Sequence, residues 1–245
     1  MPISNIQEIK NNTYKPGKPI KEKANIFIPD IDPELNIPNR NGFHCVMTGS
    51  GGSGKSSLML SLIKGPYKKK FHNIYYICPM VSFLSVKDHP FKKHDKVYHD
   101  LTVDLLLDIY KELEAKKEED EDGDVDYSLI IIDDMASDLK NKDIQRVLNK
   151  MMIKSRHLGL SWIITLQAFI YFPKILRRQI TNLILFKPKS IDEFNLVSKE
   201  MFNMKEQDSL KLHNYVFDEP YNHLDVNTVE NIYYKNFNKL IFNLE

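Results

Sequence analysis

Apolar residues in this chain cluster in short runs, separated by longer stretches with helical spacing. The runs at residues 43–48, 73–79, 127–134, 161–167 and 182–188 read as strands. The run Tyr127-Ser128-Leu129-Ile130-Ile131-Ile132 shows no alternation with polar residues. That pattern belongs to a strand buried on both faces, as in a parallel sheet. Between the runs, residues 57–64, 102–117 and 139–156 read as helices. In the second, Leu105, Leu106, Ile109 and Leu113 recur at helical spacing and Thr102 can cap the start. In the third, Ile144, Val147, Leu148, Met151 and Met152 share one side. Residues 172–178 form a short helix with Pro173 in the first turn. Residues 191–205 and 206–215 read as helices, and 96–99, 222–226 and 232–242 as short strands. Residues 80–94 read as loop.

Pro2, Pro16, Pro19, Pro29, Pro33 and Pro38 crowd the first forty residues. That density prevents a long helix and predicts an extended arm over 1–40, with a short strand or anchor at 25–28. The expected organisation is therefore arm 1–40, core 41–190, and a C-terminal stretch 191–245 that completes the same domain. Strands alternating with helices predict an α/β fold, a largely parallel sheet with helices on both faces.

The first strand runs into Gly49-Ser50-Gly51-Gly52-Ser53-Gly54-Lys55-Ser56, followed by Ser57 and the first helix. This fits G-x-x-x-x-G-K-[ST] (Walker A) in its required strand-loop-helix setting, so the fold is that of a P-loop nucleoside triphosphatase. Glycines let the backbone curl so that N–H groups point inward at anionic oxygens, and the helix N-terminus adds partial positive charge. Lys55 can reach the β- and γ-phosphates of ATP, and the Ser56 hydroxyl can ligate Mg²⁺. The competing reading, a glycine-rich turn that happens to hold a lysine, loses on context.

The run 127–134 ends in two adjacent carboxylates, Asp133 and Asp134. This is the form of a Walker B strand: Asp133 would hold Mg²⁺ beside Ser56, and Asp134 would orient and activate the attacking water. Taken alone, a helix-capping acid with a solvated neighbour competes; downstream of a complete phosphate loop it does not. The strand 161–167 ends in Gln167, placed to sense the γ-phosphate.

Composition narrows the surroundings. The net charge of +1 on 245 residues gives no global electrostatic signature, so any nucleic acid must meet a local patch. Lys68-Lys69-Lys70 and Lys92-Lys93 are the candidate clusters, with solvated loops as the plainer reading. The acidic run at 118–124 lacks calcium-loop spacing and reads as a solvated loop. Cys45 and Cys78 both fall in apolar strands, which predicts buried thiols in a reducing compartment and no disulfide framework. Tyr233, Tyr234 and Phe237 could stack on bases, although strand-face packing fits them better. No membrane-spanning run or signal-peptide core is visible, which predicts a protein that is not secreted.

Other triphosphatases fit poorly. Asn141-Lys142-Asp143 lacks the guanine-reading spacing, and no Asp-x-x-Gly follows the acidic strand. Ser50-Gly51-Gly52-Ser53 belongs to the phosphate loop and is not a transporter signature. The order phosphate loop, Asp133-Asp134, a basic helix end with Arg156, a strand ending in Gln167, then Pro173, Arg177-Arg178, Asn182 and Leu185-Phe186-Lys187 resembles a known family. It is similar to the viral genome-packaging ATPases of the FtsK–HerA superfamily, with a RecA-like core, found in poxviruses, other large DNA viruses, polinton-like elements and virophages. The small size suggests the virophage branch, with Sputnik-like virophages as the nearest resemblance.

That resemblance implies an ATP-driven motor that moves double-stranded DNA into a preformed viral capsid. It implies a homo-oligomeric ring, a hexamer, acting in the virus factory of the host cytoplasm or carried in the virion. In that superfamily an arginine from one subunit reaches the γ-phosphate of the next; Arg156 is the best match, with Arg177 and Arg178 in reserve. Many members carry Glu where this chain has Asp134. Two other readings stay open at this point: a nucleoside or nucleotide kinase, disfavoured by the lack of an obvious lid, and a nucleotide-gated scaffold, disfavoured by Asp133-Asp134.

Overall fold

A computed structural model describes residues 3–9, 36–38, 42–118 and 126–244. The expected short strand at 25–28 and nearly all of the acidic run lie outside these residues. Among the described residues ten strands form one sheet in the order β1-β10-β9-β8-β7-β2-β6-β5-β3-β4. The strands are β1 Ile3–Ile9, β2 His44–Thr48, β3 Asn73–Ile77, β4 Val97–Tyr98, β5 Ser128–Asp133, β6 Leu160–Leu166, β7 Asn182–Phe186, β8 His223–Asn227, β9 Ile232–Lys235 and β10 Asn238–Leu244. Strands β7, β2, β6, β5, β3 and β4 are mutually parallel. The remaining four extend the sheet antiparallel from β7. The largely parallel sheet expected from the apolar runs is present.

Among the described residues seven α-helices accompany it: α1 Lys55–Lys64, α2 Met80–Ser85, α3 Val103–Glu118, α4 Lys142–Lys154, α5 Lys174–Arg177, α6 Ile191–Val197 and α7 Glu206–Val216. They lie on both faces. On one, Leu58, Met59 and Leu62 of α1 pack with Cys45, Met47, Ile131 and Ile163. On the other, Leu106 and Ile109 of α3 and Leu148 and Met151 of α4 pack with Val46, Ile130, Ile132 and Ile164. Successive strand residues point to opposite faces, so a strand covered on both sides is apolar at nearly every position.

Several expected boundaries shift for identifiable reasons. Helix α4 starts at Lys142 because Asn141 has extended backbone and its side chain caps the amide of Asp143 at 2.8 Å. The segment before it is a separate 3-10 turn, Asp138–Lys140. The helix expected at 191–205 is broken: α6 passes into a π turn, Ser198–Phe202, which ends at Asn203 in the left-handed region. The strand expected at 232–242 is a hairpin, since Asn236 and Phe237 both have positive φ, the backbone of a tight primed turn. Residues 80–94, expected as loop, include α2. Residues 3–9 of the expected arm form β1, the edge strand paired with β10.

Cys45 and Cys78 are free and buried, and burial raises both thiols, Cys78 to about 11. Tyr233, Tyr234 and Phe237 are buried as well, so they pack within the fold and offer no faces to bases.

Candidate active site

The phosphate loop leaves β2 while still tied to the sheet: the Gly49 amide donates to the Leu166 carbonyl at 3.2 Å. Close approach explains the first glycine. A Cβ on Gly49 would sit 2.6 Å from Cβ of Phe186 and 2.8 Å from Oγ of Ser53. Backbone conformation explains the last. Gly54 has φ 105°, outside the range of residues with side chains, and the turn it makes delivers Lys55 into the first turn of α1. No acidic residue occupies that first turn, so the helix dipole is not offset there. Ser56 and Ser57 are half-buried in the same turn.

The Lys55 ammonium is buried against its own loop, donating to the carbonyls of Gly49 at 2.5 Å and Ser50 at 2.9 Å. Burial lowers its pKa, opposed by the charges of Asp134 and Asp133. Both acids therefore lie within electrostatic reach of the lysine. The Ser53 hydroxyl oxygen is buried with no hydrogen-bond partner among the described residues. An orphaned hydroxyl and a lysine folded onto carbonyls are groups that an anionic ligand would satisfy.

Asp133 closes β5, in register with Thr165 of β6. It is 5% exposed, and both of its oxygens accept hydrogen bonds: Oδ1 from the Thr165 hydroxyl, Oδ2 from the Tyr76 phenol at 2.9 Å. Asp134 is half-buried and has φ 58°, a left-handed conformation that turns its side chain away from the strand's alternation. Its amide is held by the carbonyl and the hydroxyl of Thr165, each at 3.2 Å. Gln167, one residue past β6, donates from Nε2 to Oδ2 of Asp134 at 3.4 Å. The structure thus gathers the phosphate loop, Asp133, Asp134 and Gln167 at the C-terminal ends of three adjacent parallel strands.

Arg156 is not among them. It precedes β6, and a Cβ on Gly42, just before β2, would sit 3.1 Å from its Cγ. Its charge depresses His44 at the start of β2, secondary to burial. The seven-residue β6 separates Arg156 from Gln167, roughly 20 Å at 3.3 Å per residue. Arg156 is exposed and borders a cavity of ≈ 430 Å³ at this far end of the sheet. Arg177 is committed elsewhere. It is 6% exposed, pairs with Glu200 at 2.5 Å, donates to the Phe172 and Ile170 carbonyls and lies over the Phe169 ring. Arg178 is exposed.

Sequence reasoning passed over Tyr76 and Thr165. Thr165 had a signal, a hydroxyl one residue from the end of an otherwise apolar stretch. Tyr76 had none, because its partner lies 57 positions away.

The model of the poxvirus A32 protein family matches residues 36–242. Among solved structures, B204, the DNA-packaging ATPase of Sulfolobus turreted icosahedral virus, is 17% identical with a TM-score of 0.57, covering 80% of this chain and 98% of its own. B204 of Sulfolobus turreted icosahedral virus 2 in complex with ATP-gammaS is 18% identical with a TM-score of 0.55, covering 80% and 98%. ATPases 2 and 3 of Thermomonospora curvata EccC are 14% identical with a TM-score of 0.54, covering 82% of this chain and 37% of theirs. At these identities the likeness is one of fold. No curated protein matches.

Proposed function

The chain belongs to the poxvirus A32 protein family, and from that premise we propose that it hydrolyses ATP to drive double-stranded DNA into a viral capsid. One observation carries the reading. Lys55, Asp133, Asp134 and Gln167 converge at one end of the sheet, as hydrolysis of a γ-phosphate requires. The B204 structures, a DNA-packaging ATPase and a packaging NTPase bound to ATP-gammaS, support the class of activity through the shared fold.

The residues have separable roles. Gly49, Ser50, Gly51, Gly52, Ser53 and Gly54 cradle the phosphates with backbone N–H groups, and the amides of Lys55, Ser56 and Ser57 continue the cradle into α1. Lys55 leaves its carbonyl partners for the β- and γ-phosphates. No group of three or more His, Cys, Asp or Glu among the described residues could hold a metal ion. Mg²⁺ takes one or two protein oxygens and fills the rest of its shell from phosphates and water. Ser56 and Asp133 would be those oxygens, and the bound ion would neutralise charge developing on the phosphates. Asp134 accepts the proton of the attacking water, and Gln167, already hydrogen-bonded to Asp134, senses the γ-phosphate.

Arg156 lies too far from the phosphate loop of its own chain to reach it, so in this reading the arginine acts on a neighbour's site. This supports a ring in which each interface assembles one full site, a hexamer in the reading from resemblance. DNA contacts would be to phosphates, independent of sequence and weakened by salt. Lys92 and Lys93 are exposed on the β3–β4 connection. Lys68, Lys69 and Lys70 are exposed on the α1–β3 connection. No helix among the described residues is long and apolar enough to cross a membrane. The protein would work in the virus factory of the host cytoplasm and at the capsid.

The test is ATP hydrolysis with and without double-stranded DNA, in the native chain and in Lys55→Ala. DNA-stimulated phosphate release by the native chain, lost in the variant together with filled capsids, is expected. Full hydrolysis by Lys55→Ala would refute the site.

A further inference from the structure

We infer that Tyr221 is the platform for the purine base of the bound nucleotide. The inference rests on the ATPase reading and adds the half of the ligand that the phosphate loop does not address. The acids Asp133 and Asp134 lie on the β6–β5 side of the loop, which fixes where the γ-phosphate goes. The phosphate chain crosses the N-terminus of α1, so the nucleoside must leave on the other side, over β7 and β8. Phe186 and Tyr221 stand there. A Cβ on Gly54 would meet Cε1 of Phe186 at 3.3 Å and Cδ1 of Tyr221 at 3.5 Å, so both rings converge on the residue that opens α1.

The two rings are used differently. Phe186 is 3% exposed and forms the floor under the loop. Tyr221 is 49% exposed, so much of its ring is open to a ligand. Its backbone has φ 67°, a conformation that bulky side chains rarely adopt and that persists only when its surroundings enforce it. The enforcement is visible on both sides. Lys235 Nζ grips both oxygens of Asp218 at 2.8 and 2.9 Å. Asn222 Nδ2 donates to Asp218 at 2.7 Å and its Oδ1 accepts from Asn236 at 2.6 Å. The turn is thus held against the hairpin, with the aromatic ring presented beside the loop before any nucleotide arrives. Stacking needs only a π face, so the platform accepts any base and favours the larger purines.

The experiment compares ATP, CTP and inorganic tripolyphosphate binding to the full chain by calorimetry, in the native protein, Tyr221→Ala and Tyr221→Phe. Tyr221→Ala should weaken ATP on the order of tenfold, narrow the preference for ATP over CTP, and leave tripolyphosphate unchanged. Tyr221→Phe should bind like the native chain. ATP affinity unchanged in Tyr221→Ala, or equal losses for ATP and tripolyphosphate, overturns the inference and leaves the phosphate site standing. A native chain that binds neither ATP nor tripolyphosphate overturns the ATPase reading and the platform with it.

Discussion

The phenol of Tyr76 on β3 donates a hydrogen bond to Oδ2 of Asp133 at 2.9 Å, inside the sheet. With the Thr165 hydroxyl on Oδ1, it fixes the carboxylate in both position and rotation. Asp133 is the acid proposed to hold Mg²⁺, and groups that position such an acid typically change metal affinity or activity by about 10–100-fold when removed. Tyr76→Phe keeps the ring, and with it the stack on Phe91 at 4.7 Å, and deletes only the donor. Hydrolysis by Tyr76→Phe should fall on the order of tenfold at low Mg²⁺ and recover at saturating Mg²⁺. A Mg²⁺ titration of the rate reads this directly, and a curve that overlays the native one would remove Tyr76 from the site.

The two neighbouring arginines should behave in opposite ways. Arg177→Ala strips a partner from Glu200 and from two backbone carbonyls within the fold. Glu200 is a third exposed, so the loss comes mainly from the hydrogen bonds of the buried guanidinium, about 2 kcal/mol. Arg178 is exposed, and Arg178→Ala should stay within about 0.5 kcal/mol. Denaturant midpoints of the two variants measure the contrast, and equal midpoints would mean that Arg177 is not the internal clamp described here.

A trans arginine makes a prediction about mixtures. Lys55→Ala and Arg156→Ala proteins should each hydrolyse almost nothing. Mixed in equal amounts in a ring, about a quarter of the interfaces pair an intact Lys55 with an intact Arg156, and activity should return in that proportion. Failure of the mixture to exceed either parent, with mixed rings shown by mass, would move the arginine elsewhere.

The fourth prediction concerns acid. His89 is 5% exposed, 4.4 Å from the Phe83 ring, and its Nδ1 accepts from the Phe91 amide. Burial, helped by the charge of Lys64, pulls it from 6.5 down to about 4. Between those values the unfolded chain binds the proton and the folded chain does not. The stability involved is therefore fully present above pH 6.5 and falls as the pH drops toward 4. His89→Phe should flatten that part of the curve of unfolding midpoint against pH. An unchanged slope would show that His89 does not carry it.

What could be read from the sequence follows from what constrains it locally. Strands β2, β5, β6 and β7 announced themselves because burial on two faces leaves few polar positions to blur the run. The phosphate loop is constrained by backbone geometry, so its glycines are written in order. Asp133, Asp134 and Gln167 were legible because strand ends in a parallel sheet collect at one edge. Helix α2 was not, because Met80, Val81 and Leu84 are exposed and give no one-sided pattern. Nor was β1, whose partner lies more than two hundred positions away and whose sequence opens a proline-rich stretch. Tyr221 had no motif either: its place beside Gly54 comes from the β8–β10 hairpins and from a backbone angle that its residue type does not suggest.

That distant pairing also has a consequence in time. Strand β1 precedes the other described elements in sequence, and β10, its partner in the sheet, follows the described helices and the whole parallel core. Contacts so far apart in sequence form late, since the intervening chain must already be folded or its closure entropy overcome. During that interval β10 presents an unpaired strand edge. By this argument β1 closes late on the sheet, and until it does β10 offers a free edge on which other chains can pair.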